Sequence, residues 1–333
     1  MALGEHRLEY EVLEGWERLP EGWSFVEVAG VATDSQDRVY VFCRGEHPVI
    51  VFDRDGRFLN AWGERVFTVP HGIFVDRRDE LYLADSGDHT IRKFTPEGRL
   101  LMTLGRPGGP SDTGFQIDRS PVQHAGDPFN RPTNAAVLPN GEFYVADGYG
   151  NARVHKFAQD GRLLFSWGEP GSGPGQFNLP HGIAVDSQGT VYVADRENSR
   201  IQVFSPAGEF RQSWEWVNRP DDIFIDAQDN LYIAELGFVV SRVSPLHYRF
   251  METPPAGHAP IARVSICDPD GKLQLQIGGE QAVLPGNFIA PHGIWADSRG
   301  DLYVGEVVVA SGATKKFAPL TCHAFQKFLR SGG

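Results

Sequence analysis

The sequence predicts an all-β fold, a six-bladed β-propeller, and three observations carry this prediction. Gly and Pro account for 38 and 23 of the 333 residues, and regular helices tolerate neither residue well. A strand–turn–strand segment recurs six times along the chain. Most copies are followed by two more strand-like segments, which gives the four antiparallel strands per unit that are typical of a propeller blade.

The recurring segment combines a short apolar strand, a polar turn and a second strand of alternating V/L-Y-V-A pattern. Its six copies are AGVATDSQDRVYVFC, HGIFVDRRDELYLAD, TNAAVLPNGEFYVAD, HGIAVDSQGTVYVAD, DDIFIDAQDNLYIAE and HGIWADSRGDLYVGE. The residues that end the first strands are Asp34, Asp76, Leu138, Asp186, Asp226 and Asp297, so successive copies are 42, 62, 48, 40 and 71 residues apart. The two longest intervals place insertions near 106–130 and 237–260.

The sixth copy lies near the end of the chain, and CHAFQKF could supply its third strand. Its fourth strand would come from the N-terminal segment RLEYEVL, and this closure would remove two exposed sheet edges. We therefore expect one six-bladed domain over residues 1–333. The repeat resembles the NHL repeat, whose members form six-bladed propellers that serve as binding platforms or as enzymes. By itself it predicts fold and not function.

Charge and cysteine content limit the partners and the compartment. The formal net charge is -12, whereas nucleic-acid binding needs a basic face, so we expect no nucleic-acid partner. No apolar run is long enough to span a membrane, and the N-terminus shows no apolar signal segment. Cys43, Cys267 and Cys322 are few and scattered, which favours reduced thiols and a cytoplasmic protein. The oligomeric state stays open.

Histidine opens the first strand of the second, fourth and sixth copies, at His71, His181 and His292. First strands line the channel of a propeller, and alternate blades lie about 120° apart, so the three imidazoles are expected to converge. Three histidines with open coordination positions favour a catalytic zinc ion, or another divalent transition metal. Alternatively, PHG is only repeat consensus. Thr133 and Asp221 weaken this alternative, because both follow the same proline without histidine.

Two residues in the loops after the second strands are candidates for chemistry beside the metal. Tyr149 lies between two glycines, where an exposed phenol is expected. Arg44 follows a strand and could bind a carboxylate or a developing oxyanion. The alternatives are that Arg44 pairs with Glu46 and that Tyr149 covers the channel mouth. His155, which alternates within the third strand RVHKF, is expected to face solvent or a neighbouring blade.

Residues 143–204 resemble peptidyl-α-hydroxyglycine α-amidating lyase in DGY-x-N-x-R, WGE-x-GSGPGQF, the PH pair and ADREN-x-RIQ-F. Residues 28–47 resemble the first blade of that family. The resemblance implies zinc held by His71, His181 and His292, with Arg44 and Tyr149 as catalytic residues. It implies cleavage of a carbinolamide, N–C(OH), into an amide and an aldehyde such as glyoxylate.

Three positions depart from this family. Ala290 replaces a methionine near the third histidine, Gly150 replaces a cysteine, and Gly293 replaces an acidic residue of the family's structural calcium site. The calcium ion is therefore not carried over, although main-chain carbonyls near Val31 and Ile73 could still hold an ion. The change at Ala290 and the expected compartment favour a small-molecule substrate over secreted peptides.

The leading interpretation is a zinc-dependent lyase, and two alternatives remain. The first is a metal-dependent hydrolase or hydratase of lactonase type, although calcium lactonases line their channel with Asp, Glu and Asn, not His. The second is a non-enzymatic NHL interaction platform. The two insertions are expected to be lids or oligomer contacts. Their candidate pocket walls are Phe115, Phe238, His247, Tyr248 and Phe250.

Overall fold

The computed structural model describes residues 8–117, 119–238, 261–312 and 322–331. These residues form six four-stranded antiparallel sheets. The innermost strand of each sheet contacts the innermost strands of the two neighbouring sheets, and these contacts close a ring. The predicted six-bladed propeller is therefore confirmed.

Each blade contains four strands, numbered here in chain order from β1 (Glu9–Leu13). Blade one holds β2 (Val28–Thr33), β3 (Val39–Cys43), β4 (Val49–Phe52) and β5 (Phe58–Trp62), and blade two holds β6 (Pro70–Val75), β7 (Leu81–Asp85), β8 (Thr90–Phe94) and β9 (Leu100–Leu104). Blade three holds β10 (Pro132–Val137), β11 (Phe143–Asp147), β12 (Arg153–Phe157) and β13 (Leu163–Trp167), and blade four holds β14 (Pro180–Val185), β15 (Val191–Asp195), β16 (Arg200–Phe204) and β17 (Phe210–Trp214). Blade five holds β18 (Pro220–Ile225), β19 (Leu231–Glu235), β20 (Arg263–Cys267) and β21 (Leu273–Ile277), and blade six holds β22 (Pro291–Ala296), β23 (Leu302–Glu306), β24 (Phe325–Ser331) and β1.

The apolar pattern of the repeat explains how the strands are layered. All residues of the second strand of every blade are buried, because both faces of this strand pack against neighbouring blades. The outermost strands alternate and expose part of their length. Helix is confined to short segments of the described chain, a 3-10 turn at Arg196–Asn198 and a π-helical turn at Val308–Gly312. No helix of the described ranges is long and apolar enough to cross a membrane.

The ring is closed by strands from the two ends of the sequence, as predicted. Strand β1 pairs antiparallel with β24, with Glu9 opposite Ser331 and Leu13 opposite Lys327. On the face of the ring opposite the strand entries, the backbone N–H and hydroxyl of Ser298 in blade six donate to the Asp37 carboxylate of blade one at 3.0 and 2.7 Å. Blade six is thus bonded to blade one by side chains as well as by packing.

The first insertion, 106–130, follows β9 and packs against the loop that carries Tyr149. The Thr113 hydroxyl donates to the Gly150 carbonyl at 2.6 Å, and the Gly126 N–H donates to Asn151 at 3.1 Å. Phe115 packs against the buried core of blades three and four. Of the second insertion, 237–260, only the first two residues belong to the described chain, and Phe238 is buried. His247, Tyr248 and Phe250 lie outside the described residues.

Of the two alternatives for His155, exposure to solvent is wrong, whereas its ring contacts Phe129, which belongs to the core cluster between blades two and three. This side chain is fully buried, with its ring nitrogens 2.8 Å from the Ser166 hydroxyl and 3.3 Å from the Asp147 carboxylate. The Asp147 carboxylate is itself buried at the end of β11 and needs hydrogen-bond donors, one of which is supplied by the imidazole. His155 is therefore a structural residue of blade three.

Candidate metal centre

The three predicted histidines converge in the channel. His71, His181 and His292 are each the second residue of an innermost strand, all three are buried, and one ligand nitrogen from each lies within 4.8 Å of the others. Each Nδ1 lies 2.7 Å from a main-chain carbonyl of the following blade; the acceptors are Thr133, Asp221 and Ala29. These carbonyls fix the tautomer, because Nδ1 must carry the hydrogen, and they leave the Nε2 lone pairs free to bind a metal.

The electrostatics of the triad favour neutral imidazoles. Burial lowers the pKa of His71 and His181 well below the ordinary value, and neighbouring imidazoles and arginines lower it further. Burial, followed by the charge of Arg44, lowers the pKa of His292 to about 3. Nε2 of His292 is buried and has no hydrogen-bond partner among the described residues, although buried polar atoms are nearly always paired. A zinc ion or a similar divalent cation fits this set of three neutral nitrogens.

Tyr149 lies beside the triad, as the sequence predicted. The loop after β11 passes close to blade four, because Gly148 has no side chain; a Cβ there would lie 2.0 Å from the Pro180 carbonyl oxygen. This close approach places the phenol oxygen of Tyr149 3.2 Å from Nε2 of His71 and 3.2 Å from Nε2 of His181. The hydroxyl therefore borders the position that the three nitrogens surround. Its catalytic role stays a prediction.

Arg44 also lies near the triad, but its partner is not the one suggested by sequence proximity. Its Nε donates to the Pro70 carbonyl at 3.0 Å, and its Nη1 donates to Glu27 at 2.7 Å. The pairing with Glu46 was wrong, since the carboxylate comes from the residue before β2, not from the same loop. The other oxygen of Glu27 accepts the N–H groups of Val309 and Ala310. The guanidinium is thus held in place and its charge is balanced.

Sequence reasoning did not single out Arg196. Its Nη1 lies 3.4 Å from the Tyr149 oxygen and 3.0 Å from the Asp221 carboxylate, and its Nε donates to Glu197 at 3.0 Å. The sequence does contain a signal for Arg196, since it directly follows the second strand of its blade, as Arg44 does. These two blades, one and four, lie opposite each other in the ring, so the two arginines approach the triad from opposite sides.

The two aspartates at the start of β18 contribute in different ways. Asp221 contacts the ligand His181 through its main-chain carbonyl, while its carboxylate binds Arg196. The Asp222 carboxylate accepts the Asn134 amide at 2.7 Å and the Ile294 N–H at 3.2 Å, which joins blade five to blades three and six across the channel. Of the two aspartates, Asp221 is therefore the one that is hydrogen-bonded to a candidate metal ligand.

The similarity to known proteins agrees with this architecture. The NHL repeat matches residues 67–94, 129–157 and 177–204. Over 335 residues the chain is 30% identical to human NHL repeat-containing protein 3, covering 95% of this chain and 86% of that protein. The chain belongs to the NHL-repeat family. This NHL-repeat protein is also homologous to peptidyl-alpha-hydroxyglycine alpha-amidating lyase 1 of Drosophila melanogaster, with 40% identity over 100 residues, which cover 27% of this chain and 18% of the lyase.

Among solved structures, virginiamycin B lyase of Staphylococcus aureus has a similar fold. It aligns with a TM-score of 0.54 at 15% identity, covering 90% of this NHL-repeat protein and 82% of that chain. At this identity the likeness shows the fold alone.

The buried triad predicts a pH dependence for the metal-free NHL-repeat protein. Unfolded imidazoles take up protons below about pH 6.5, whereas the folded triad stays neutral, so the unfolded state binds more protons. The free energy of unfolding should then decrease as the pH is lowered below about 6.5, by up to about 1.4 kcal/mol per pH unit for each imidazole. Urea unfolding in the presence of a chelator at several pH values measures this slope. A triple His→Gln variant with an equally steep slope would contradict the assignment.

Proposed function

We propose that this protein is a metal-dependent lyase that cleaves the C–N bond of a carbinolamide, releasing an amide and an aldehyde such as glyoxylate. The substrate would be a small N-hydroxyalkyl amide or an α-hydroxyglycine derivative. One observation carries the proposal: the Tyr149 hydroxyl lies 3.2 Å from two of the three nitrogens that would hold the metal. A proton-transfer group is thus in direct reach of a substrate oxygen bound at the triad. The homology to an amidating lyase supports the same reaction.

The reaction requires one proton to move and one bond to break. The substrate hydroxyl loses its proton, the carbonyl of the aldehyde forms, and the C–N bond breaks as the amide nitrogen gains a proton. When bound by His71, His181 and His292, zinc would supply Lewis-acid polarisation of a substrate oxygen. Tyr149, acting as the phenolate, would accept the hydroxyl proton and return it to the nitrogen, so the overall reaction consumes no proton.

Two arginines near the triad, Arg196 and Arg44, have separate tasks in this proposal. Arg196 lies 3.4 Å from the Tyr149 oxygen and would stabilise the negative charge that this oxygen carries before it takes up the proton and after it returns it. Arg44, which is fixed by Glu27 and Pro70, would bind the substrate carboxylate or the oxygen of the developing carbonyl. Because these guanidinium groups are already held by protein contacts, little reorganisation is needed during the reaction.

The proposal is tested by loading the purified protein with zinc and supplying α-hydroxyhippurate. We expect about one metal ion per chain by elemental analysis and the release of benzamide and glyoxylate in equal amounts, with loss of turnover on chelation. A protein that binds metal in this ratio but leaves α-hydroxyhippurate and related carbinolamides intact would rule the lyase out. Hydrolysis of a lactone instead of a carbinolamide would favour the metal-dependent hydrolase. Partner binding that is unchanged when the metal is removed would favour the interaction platform.

A further inference from the structure

Arg131 lies on the same side of the ring as the triad and is held by its backbone. It directly precedes β10, its N–H donates to His89 Nδ1 at 3.1 Å, and its carbonyl accepts the N–H of Tyr149 at 3.4 Å. Its φ of 63° is left-handed, and Leu179 and Arg219 have the same conformation before the first strands of blades four and five. The conformation is therefore a property of this position in the blade, and a leucine can occupy it. The backbone does not require an arginine here.

The guanidinium of Arg131 faces the proposed catalytic tyrosine. Its central carbon lies 5.9 Å from the centre of the Tyr149 ring, and that of Arg196 lies 5.4 Å from the same centre. The phenol of Tyr149 is thus flanked by two cations. Arg131 belongs to blade three, whereas Arg44 belongs to blade one, and these two blades are about 120° apart around the channel.

The charge of Arg131 distinguishes it from the other arginines of the site. Arg44 is paired with Glu27, Arg196 with Asp221 and Glu197, and Arg219 with Glu197. Within the described ranges Arg131 has no ion pair, and its Nε is buried without a hydrogen-bond partner. A buried, unpaired N–H of a charged group is unfavourable until an acceptor binds it. Arg131 as a whole is half-buried, so the rest of its unpaired guanidinium is within reach of a bound anion.

We propose that Arg131 forms a second anion-binding subsite, which selects carbinolamides that carry a carboxylate or a similar anion on their acyl portion. This inference rests on the proposed lyase function. A substrate whose carboxylate binds Arg44 and whose hydroxyl lies beside Tyr149 must extend its acyl portion towards other blades. Arg131 lies next to Tyr149 on blade three, and its planar guanidinium can bind a carboxylate through two parallel hydrogen bonds. The substrate class is thus an amide with two anionic groups.

The subsite is tested with two substrates that differ by one carboxylate, α-hydroxyhippurate and its para-carboxylated analogue. We expect the native protein to favour the analogue at least about tenfold in kcat/KM, mainly through KM, with a preference that weakens as salt is added. Arg131→Gln should abolish this preference. The control Arg162→Gln removes the same charge from an exposed turn of the same blade and should retain the preference.

Two outcomes would overturn the subsite. One is an Arg131→Gln variant with an unchanged preference; the other is an equal loss of kcat/KM on both substrates, which would mean that Arg131 only supports the Tyr149 ring. Binding of para-carbamoylbenzoate, measured by calorimetry, tests the subsite without turnover. Weaker binding to Arg131→Gln than to Arg162→Gln supports the subsite even if no carbinolamide is cleaved, and equal binding to both variants refutes it. Failure of the lyase is thereby distinguished from failure of the subsite.

Discussion

Replacing His292 by alanine is expected to abolish metal binding and lyase activity. The Nε2 of this residue is buried and unpaired within the described structure, so the ion would be the partner that this nitrogen lacks. Loss of residues that merely support a ligand typically weakens metal affinity by about 10–100-fold, so loss of a ligand should exceed about 100-fold. Elemental analysis after dialysis and measurement of kcat on α-hydroxyhippurate test both effects.

The matched control is His124→Ala, which removes an exposed imidazole from the first insertion. It should retain the metal and full activity. Thermal unfolding of both variants separates loss of the ligand from loss of the fold. If His292→Ala kept one metal ion per chain at native affinity, the triad would not be the metal site.

Replacing Tyr149 by phenylalanine is expected to lower kcat by about 10²–10⁴-fold while the metal is retained, since general acid–base groups contribute rate factors of this size. The substitution removes only the hydroxyl that lies 3.2 Å from His71 and His181. The ring remains between Arg131 and Arg196. Steady-state kinetics combined with metal analysis therefore separate proton transfer from metal binding.

Tyr144→Phe provides the control for this variant. Tyr144 is a buried tyrosine of the same blade, and its hydroxyl donates to the Pro206 carbonyl, remote from the triad. Its loss should cost about 1 kcal/mol of stability and leave kcat unchanged. A Tyr149→Phe variant with native kcat would exclude the phenol from the proton transfer and would require another group to move the proton.

The location of a residue could be predicted from the sequence where it depends only on the place of that residue within the repeat. The blade fixes which residue starts the innermost strand, so His71, His181 and His292 had to meet once six blades closed the ring. Closure by the two ends of the sequence was predictable for the same reason, because the sixth copy lacked a fourth strand. Tyr149 was predictable because a loop at a known point of the blade carries it.

The partners of individual side chains were not predictable in this way. Arg44 is paired with Glu27, which precedes β2, and not with Glu46 of its own loop. Arg196 has the same position in its blade as Arg44, but its contact with Asp221 of the next blade does not follow from the repeat. For His155, alternation along the strand left solvent and a neighbouring blade open, and it did not reveal the contact with the Asp147 carboxylate. The repeat determines where the backbone of each residue lies, whereas the partner of each of these side chains depends on residues elsewhere in the chain.

The pairing of β1 with β24 has a consequence for how the protein is made. Strand β1 can find its partner only after β24 has been synthesised, so this ring closes after translation of residue 331. The same holds for the triad, since the carbonyl that orients His292 belongs to Ala29, 263 residues earlier. A nascent chain that has not yet reached residue 292 therefore holds two of the three histidines without the geometry that joins them, and a metal ion held by all three would be acquired only later.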